Sequence, residues 1–166
     1  MARATGPKYR VHFRRRREGK TNYAKRLRLL KSGLPRLVVR KTNTRVIASI
    51  VRFAEKGDIT EISVDGKHLR KMGWKGSLKS IAAAYLIGLK IGKEAVSRNI
   101  QKAVLDIGLH TPTKNNFSFF VAYGAKEAGL DVKVPEDLDM SRIEKSKTFD
   151  KNAFENIRKM ILGDVK

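Results

Sequence analysis

The 166-residue sequence contains no cysteine, only four prolines and one tryptophan, and few acidic residues for the number of basic ones. The absence of cysteine excludes disulfides, thiolate zinc sites and cysteine nucleophiles. The longest uncharged run, residues 115–125, is well short of the ~20 residues that a membrane-spanning helix needs. No apolar stretch near the N-terminus resembles the core of a signal peptide. We therefore expect neither a membrane-spanning nor a secreted protein.

Positive charge is present in large excess. The chain has 37 Lys and Arg against 16 Asp and Glu, a net charge of +21 and a pI near 10.5. Residues 1–56 alone contain 18 Lys and Arg but only two acids, whereas residues 131–166 are neutral overall. Such asymmetry indicates a nucleic-acid-binding segment attached to a more ordinary body. Composition alone does not separate RNA from DNA.

Three segments are expected along the chain. Residues 1–20 contain too little apolar surface to fold alone, which predicts an extended basic arm that orders on its partner. Residues 21–134 predict a globular α/β domain that begins with a basic amphipathic helix. Thr21 can cap this helix, and Tyr23, Leu27 and Leu30 fall on one face. Residues 135–166 predict a C-terminal extension with a short helix from Asp150.

The globular segment alternates between strand and helix signals. Residues 37–39 and 46–53 predict a β-hairpin, and residues 59–64 a third antiparallel strand. A helix capped by Ser77, a strand within residues 100–107 that is covered on both faces, and a helix over residues 116–129 facing the sheet complete the pattern. Gly88 and Gly92 predict close packing of the first of these helices on the sheet. The fold class is therefore α/β (α+β), a mixed β-sheet packed with helices.

Catalytic patterns are absent from the sequence. The three histidines lie far apart, and there is no phosphate-binding loop, nucleophile elbow or dinucleotide fingerprint. Asp106 follows the buried strand, and a two-metal nuclease would need it to converge with other carboxylates such as Glu61 and Asp65. A structural role for Asp106, binding loop amides around Gly108, is favoured. We expect no enzyme, no metal, no cofactor and no small-molecule substrate.

The residues between positions 73 and 77 leave two interpretations open. They could present helix N-terminal amides to a phosphate, or form an ordinary turn and cap.

The basic residues of the first third, with the aromatic and polar residues among them, are the candidate RNA contacts. Arginine forks bind phosphate in two-pronged fashion, and aromatic rings stack on unpaired bases. Arg36 and Arg52 are expected to extend this surface on the hairpin, and Lys67, Arg70, Lys71 and Lys75 to continue it. The candidate contacts are Lys8, Tyr9, Arg10, Arg14, Arg15, Arg16, Arg17, Lys20, Thr21, Tyr23, Arg26, Arg28, Arg40, Lys41, Asn43 and Arg45.

Several collinear motifs resemble a known family, the universal large-subunit ribosomal protein eighteen family, in its archaeal form. Its eukaryotic counterpart is called large-subunit protein five. The resemblance covers about residues 2–140 and is carried by the runs ATGPKY (4–9), RRRRE (14–18), TNY (21–23), RLRLLKSGLPRLV (26–38), KTN (41–43), AVLDIGL (103–109) and EAGLD (127–131).

The resemblance implies a specific role on the cytoplasmic ribosome. Members bind 5S rRNA and anchor it to the large (23S) rRNA in the central protuberance, beside neighbouring large-subunit proteins. Their fold is ribonuclease-H-like in topology but lacks the metal-binding carboxylates. The implied RNA-facing parts are residues 8–20, the basic helix and the hairpin around Lys41 and Asn43. A general basic RNA- or DNA-binding protein without preference for 5S rRNA is the alternative, and a degenerate nuclease is a third possibility.

Overall fold

The computed structural model describes residues 6–145 and 149–163, so parts of the predicted arm and C-terminal extension lie outside the described residues. The elements of the described chain are α1 (Arg14–Arg17), α2 (Tyr23–Leu30), β1 (Arg36–Lys41), β2 (Val46–Arg52), β3 (Ile59–Asp65), α3 (Gly66–Lys71), α4 (Ile81–Ser97), β4 (Val104–Asp106), α5 (Phe117–Glu127), a 3₁₀ helix (Met140–Ile143) and α6 (Lys151–Leu162). No helix among these residues is long and apolar enough to cross a bilayer.

The four strands form one mixed sheet in the order β3-β2-β1-β4. β1 and β2 pair as an antiparallel hairpin, and β3 continues the meander with a register shift at Ile50 and Val51. β4 runs parallel to β1. The predicted fold class, a mixed sheet packed with helices, is confirmed.

The two faces of the sheet have different environments. Alternate residues such as Leu37, Ile50 and Val64 point to one face and are fully or almost fully buried in the core that contains α4. On the other face, Val38 is only part-buried, and Ser49 and Ser63 share a hydrogen bond 3.0 Å long near solvent. The helical layer with α4 therefore covers one face, whereas the second face, which we call the open face, is covered only in part.

Close packing at Gly88 and Gly92 is confirmed, but the partner is a helix rather than the sheet. A Cβ atom on Gly92 would lie 2.7 Å from the Ala125 carbonyl oxygen of α5, and one on Gly88 would overlap the Val121 carbonyl. Gly124 of α5 meets the backbone of α4 in the same way. α5 thus lies mainly against α4 and makes a smaller contact with β1, so the predicted orientation of α5 toward the sheet holds only in part. Glycines are needed here because the two backbones approach within contact distance.

Four further details differ from the sequence-based expectations. β4 is a three-residue edge strand, and it is not fully covered on both faces, because Val104 and Leu105 are only part-buried. α4 begins at Ile81, and its cap is Ser80, whose hydroxyl accepts from the Ala83 amide at 3.2 Å. Ser77 instead lies in the preceding turn, where its carbonyl accepts from the Ser80 hydroxyl. The N-terminus of α4 therefore lies beyond residues 73–77, which favours the interpretation of this segment as an ordinary turn. The short helix α3 was not predicted from the sequence.

The C-terminal helix was predicted correctly from Asp150, whose carboxylate accepts from the Ala153 amide. Ile157 and Ile161 are buried against the core. On the same helix, Arg158 pairs with Glu127, which also accepts a 2.6 Å hydrogen bond from the Tyr85 hydroxyl. Burial, together with this hydrogen bond to Glu127, raises the pKa of Tyr85 well above its usual range. This cluster attaches α6 to the helical layer.

Candidate nucleic-acid interface

The basic segment before α2 contains one turn of helix, α1, where the sequence predicted an extended arm. No residue of α1 is buried. The Phe13 ring packs against Tyr23 at 5.1 Å, and Glu18 pairs with Arg14 at 3.5 Å and with Lys20 at 2.9 Å. The end of this segment therefore rests on the start of α2 while its arginines face solvent.

α2 is capped by Asn22 rather than by Thr21. The Asn22 side chain accepts from the Lys25 amide at 3.0 Å, whereas the Thr21 hydroxyl accepts from Arg15 at 2.9 Å. No residue of α2 is buried, and Leu27, expected on its apolar face, is 58 % exposed. Apolar packing is therefore a weak attachment for this helix.

Two cations of α2 attach it to the body instead. The Lys25 ammonium donates to the Gly108 carbonyl at 2.9 Å, next to the end of β4. Arg26 donates from both terminal nitrogens to Asp58, at 2.8 and 2.7 Å, in the turn between β2 and β3. This bidentate geometry is the strong form of an arginine–carboxylate pair. The hydrogen bond lowers the pKa of Asp58 and raises that of Arg26, so both groups stay charged.

The pair continues into the sheet as a row of alternating charges. Asp58 also accepts from Arg36 at 2.5 Å, Arg36 donates to Asp106 at 3.0 Å, and Arg40 donates to the Asp106 carbonyl at 2.9 Å. We call these five residues the arginine–aspartate chain. Only 4 % of the Arg36 side chain is exposed, so the expectation that Arg36 extends the basic surface was wrong. It is buried because two carboxylates neutralise it.

The structural role expected for Asp106 is confirmed. Its carboxylate accepts from the Gly108 amide at 2.8 Å, in addition to its arginine partners. The other carboxylates that a nuclease would need are engaged elsewhere: Glu61 pairs with Arg52 at 2.7 Å, and Asp65 caps α3. Across residues 6–145 and 149–163 no three histidine or acidic side chains are grouped to hold a metal ion.

A groove of about 580 Å³ lies between α2 and the open face of the sheet. Six basic side chains line this groove. Its lining contains only two acidic side chains, the aspartates of the arginine–aspartate chain, and both already pair with arginines. Val38, Val51 and Leu29 add apolar surface. We call this the basic groove. It brings together six of the sequence-predicted contacts, namely Arg15, Lys20, Thr21, Tyr23, Arg26 and Arg40.

The hairpin turn lies outside the basic groove. The Thr42 hydroxyl accepts from the Arg45 amide at 3.0 Å and so closes the turn. Lys41 extends over the Phe117 ring at 5.3 Å from its centroid, and Arg45 pairs with Asp65 at 3.1 Å. Asn43 is exposed at the tip. The hairpin contacts predicted from sequence are therefore separate from those of the groove.

The remaining predicted contacts are exposed residues that the structure does not bring into the groove, namely Lys8, Tyr9, Arg10, Arg14, Arg16, Arg17 and Arg28. Sequence reasoning missed Asn22 and Lys25, which line the groove. Lys25 lines the groove because it reaches the Gly108 carbonyl, a contact between residues far apart in sequence that a count of charges does not reveal. Asn22 could have been found as a helix cap, because Asn is as good a cap as Thr or better. Lys67, Arg70 and Lys71 of α3 are exposed, as expected.

A family model described as "Ribosomal large subunit proteins 60S L5, and 50S L18" matches residues 7–102, more than half of the chain. The match includes α1, α2, all of β1 to β3 and most of the residues that line the basic groove. Membership of a family of ribosomal structural proteins makes this chain a non-enzymatic, rRNA-binding component of the large subunit of the cytoplasmic ribosome. On this match, the chain belongs to the family of large-subunit ribosomal proteins 60S L5 and 50S L18.

Proposed function

We propose that this chain binds 5S rRNA and attaches it to the large (23S) rRNA in the central protuberance of the large subunit. Direct contact with neighbouring large-subunit proteins and an archaeal origin are part of the same proposal. The observation that carries it is the continuous basic surface from the exposed arginines of α1 through α2 into the basic groove. A surface of this kind suits a folded RNA because it combines phosphate-binding cations with groups that contact bases.

Each of the three predicted segments has its own proposed role in RNA binding. Residues 1–20 act as an arm that enters RNA grooves, and neutralisation of phosphates offsets the entropy lost on ordering. Residues 21–134 supply the rigid basic face, and residues 135–166 are an extension outside the interface. The sixteen candidate residues remain the proposed RNA contacts. Among them, Arg26, Arg40 and Arg45 already pair with carboxylates. We therefore expect their guanidinium groups to contribute to RNA binding through planar contact surface as much as through charge.

The test is a filter-binding titration of the full-length chain with 5S rRNA across a salt series, with tRNA as competitor. We expect tight binding that survives the competitor and a log K that falls with log salt at roughly −0.7 to −0.9 per phosphate contact. Deletion of residues 1–20 should weaken 5S rRNA binding severely. Unchanged affinity in the deletion variant would contradict the role of the arm.

The alternative function, general binding of RNA or DNA without preference for 5S rRNA, gives a different result in the same titration. Electrostatic binding alone depends on charge density and not on the identity of the RNA. Equal loss of signal to 5S rRNA and to tRNA would therefore favour the alternative.

A further inference from the structure

The basic groove has the dimensions of a site for one small ligand. Its volume of about 580 Å³ falls inside the ~300–1,000 Å³ range of small-molecule pockets. A nucleic-acid duplex cannot enter a depression of this size, whereas a single nucleotide turned out of an RNA loop can. Apolar surface from Val38, Val51 and Leu29 lies among the cations. A phosphate group gains nothing from contact with apolar surface, whereas the face of a base can pack against it.

The groove also contains a fixed planar surface. Arg26 is held by two hydrogen bonds to Asp58, which orient its guanidinium group, and 30 % of its side chain remains exposed. Guanidinium planes and aromatic rings are the surfaces on which proteins stack unpaired RNA bases. Because Arg26 pairs with Asp58, it is not free to move toward a phosphate. The same pairing fixes the guanidinium plane in one orientation, which is suited to stacking on a base.

Cations suited to a phosphate lie at the edge of the same groove. Arg15 and Lys20 line it from the segment before α2, and neither belongs to the arginine–aspartate chain. Their contacts are exposed ones, from Arg15 to the Thr21 hydroxyl and from Lys20 to Glu18, so both side chains stay within reach of a phosphate. Asp58 and Asp106 do not repel a phosphate strongly, because three arginines surround them. The site thus offers a base-stacking plane, an apolar lining and a cationic edge within the span of one nucleotide.

We propose that the basic groove holds one unpaired nucleotide of the bound RNA, with its base on the Arg26 guanidinium plane and its phosphate near Arg15 and Lys20. This inference rests on the proposed function, since it assumes that the chain binds 5S rRNA. It adds a prediction that electrostatic binding does not make: one unpaired base contributes through stacking, at a single position that depends on Arg26.

The experiment combines abasic substitutions in 5S rRNA with variants of the chain. Each unpaired nucleotide is replaced in turn by an abasic one, and the Kd is measured for wild type, Arg26→Lys and Arg28→Lys. Arg28 is the matched control for this coupling, and not for affinity, because it is an exposed arginine of the same helix whose proposed RNA contact lies outside the groove. Both variants keep the positive charge, so the salt dependence of binding should not change.

One abasic position should weaken binding to the wild type and to Arg28→Lys by ~10-fold, the scale of one lost base stack. The same substitution should have little effect in Arg26→Lys, whose own affinity is lowered by a similar factor. A second variant, Thr60→Trp, fills the groove from β3 without changing any charge and should show the same loss of coupling. Thermal unfolding of each variant separates a folding defect from a binding defect.

The outcomes separate this inference from the proposed function. If wild type shows no preference for 5S rRNA, the proposed function fails. If wild type binds 5S rRNA but no abasic position couples to Arg26 or to the groove-filling variant, the nucleotide pocket is wrong and the proposed function stands. Free AMP is added in a parallel titration followed by NMR. Shifts at groove residues without any coupled abasic position would indicate a site for a free nucleotide and would also overturn the inference.

Discussion

Substituting Asp106 by Asn tests whether the arginine–aspartate chain holds the sheet and the loop after β4 together. The change preserves shape but removes the charge that neutralises the buried Arg36. It also leaves one oxygen where two were used, because one carboxylate oxygen accepts from Arg36 and the other from the Gly108 amide. The new amide nitrogen must face one of these donors.

The expected cost follows from the burial of the pair. Removing one partner of a buried ion pair costs about 3–5 kcal/mol, because the other charge is left uncompensated. Arg36 keeps Asp58 as a second partner, so we expect the lower end, about 3 kcal/mol. For a chain of this size each kcal/mol lowers Tm by roughly 2–4 °C, which gives a decrease of about 6–12 °C.

Chemical denaturation followed by circular dichroism measures this cost, provided that the m-value is unchanged. The matched control is Asp131→Asn, since that carboxylate is 66 % exposed and its pair with Lys102 is 3.6 Å long. Exposed pairs contribute about 0–1 kcal/mol, so the control should unfold close to wild type. A free energy of unfolding for Asp106→Asn within 0.5 kcal/mol of the control would refute the structural role given to the chain.

Three further predictions follow from the same contacts. Gly88→Ala should destabilise the protein by about 3 kcal/mol or prevent folding, because the new methyl group would overlap a carbonyl of α5, whereas Gly6→Ala, with no atom nearby, should be neutral in the same denaturation assay. Arg17→Ala should reduce the salt slope of 5S rRNA binding by about one phosphate contact in filter binding, with little change in stability. The pKa of Asp58 is depressed mainly by the hydrogen bond from Arg26, so its contribution to stability should be complete above the unfolded-state pKa and be lost as the pH falls through the folded-state value. An acid titration of Tm in which Asp58→Asn shows the same decline as wild type would contradict this last point.

Hydrophobic periodicity in the sequence was enough to predict the main elements of the fold. The hairpin, the third strand and α6 lie close to where alternation and capping residues placed them, because each has a clear apolar face or cap. The direction of α5 could not be found in this way. Its apolar residues face mainly another helix, with a smaller contact to β1, and that arrangement depends on three glycines that meet across the two helices.

The candidate site was predictable in composition but not in geometry. Counting cations located the basic segment, yet it assigned Arg36 to the exposed basic surface, although this side chain is buried between two carboxylates. The difference arises from Asp58 and Asp106, which lie 22 and 70 residues beyond Arg36 and meet it only through the sheet. Pairing of this kind depends on tertiary structure. A charge count therefore predicts the electrostatic contribution to RNA affinity, but it does not predict which residues can bind a base. The arginines held by buried or part-buried carboxylates are the ones fixed in orientation, and for that reason specificity is expected at Arg26 and general affinity at the exposed arginines of α1.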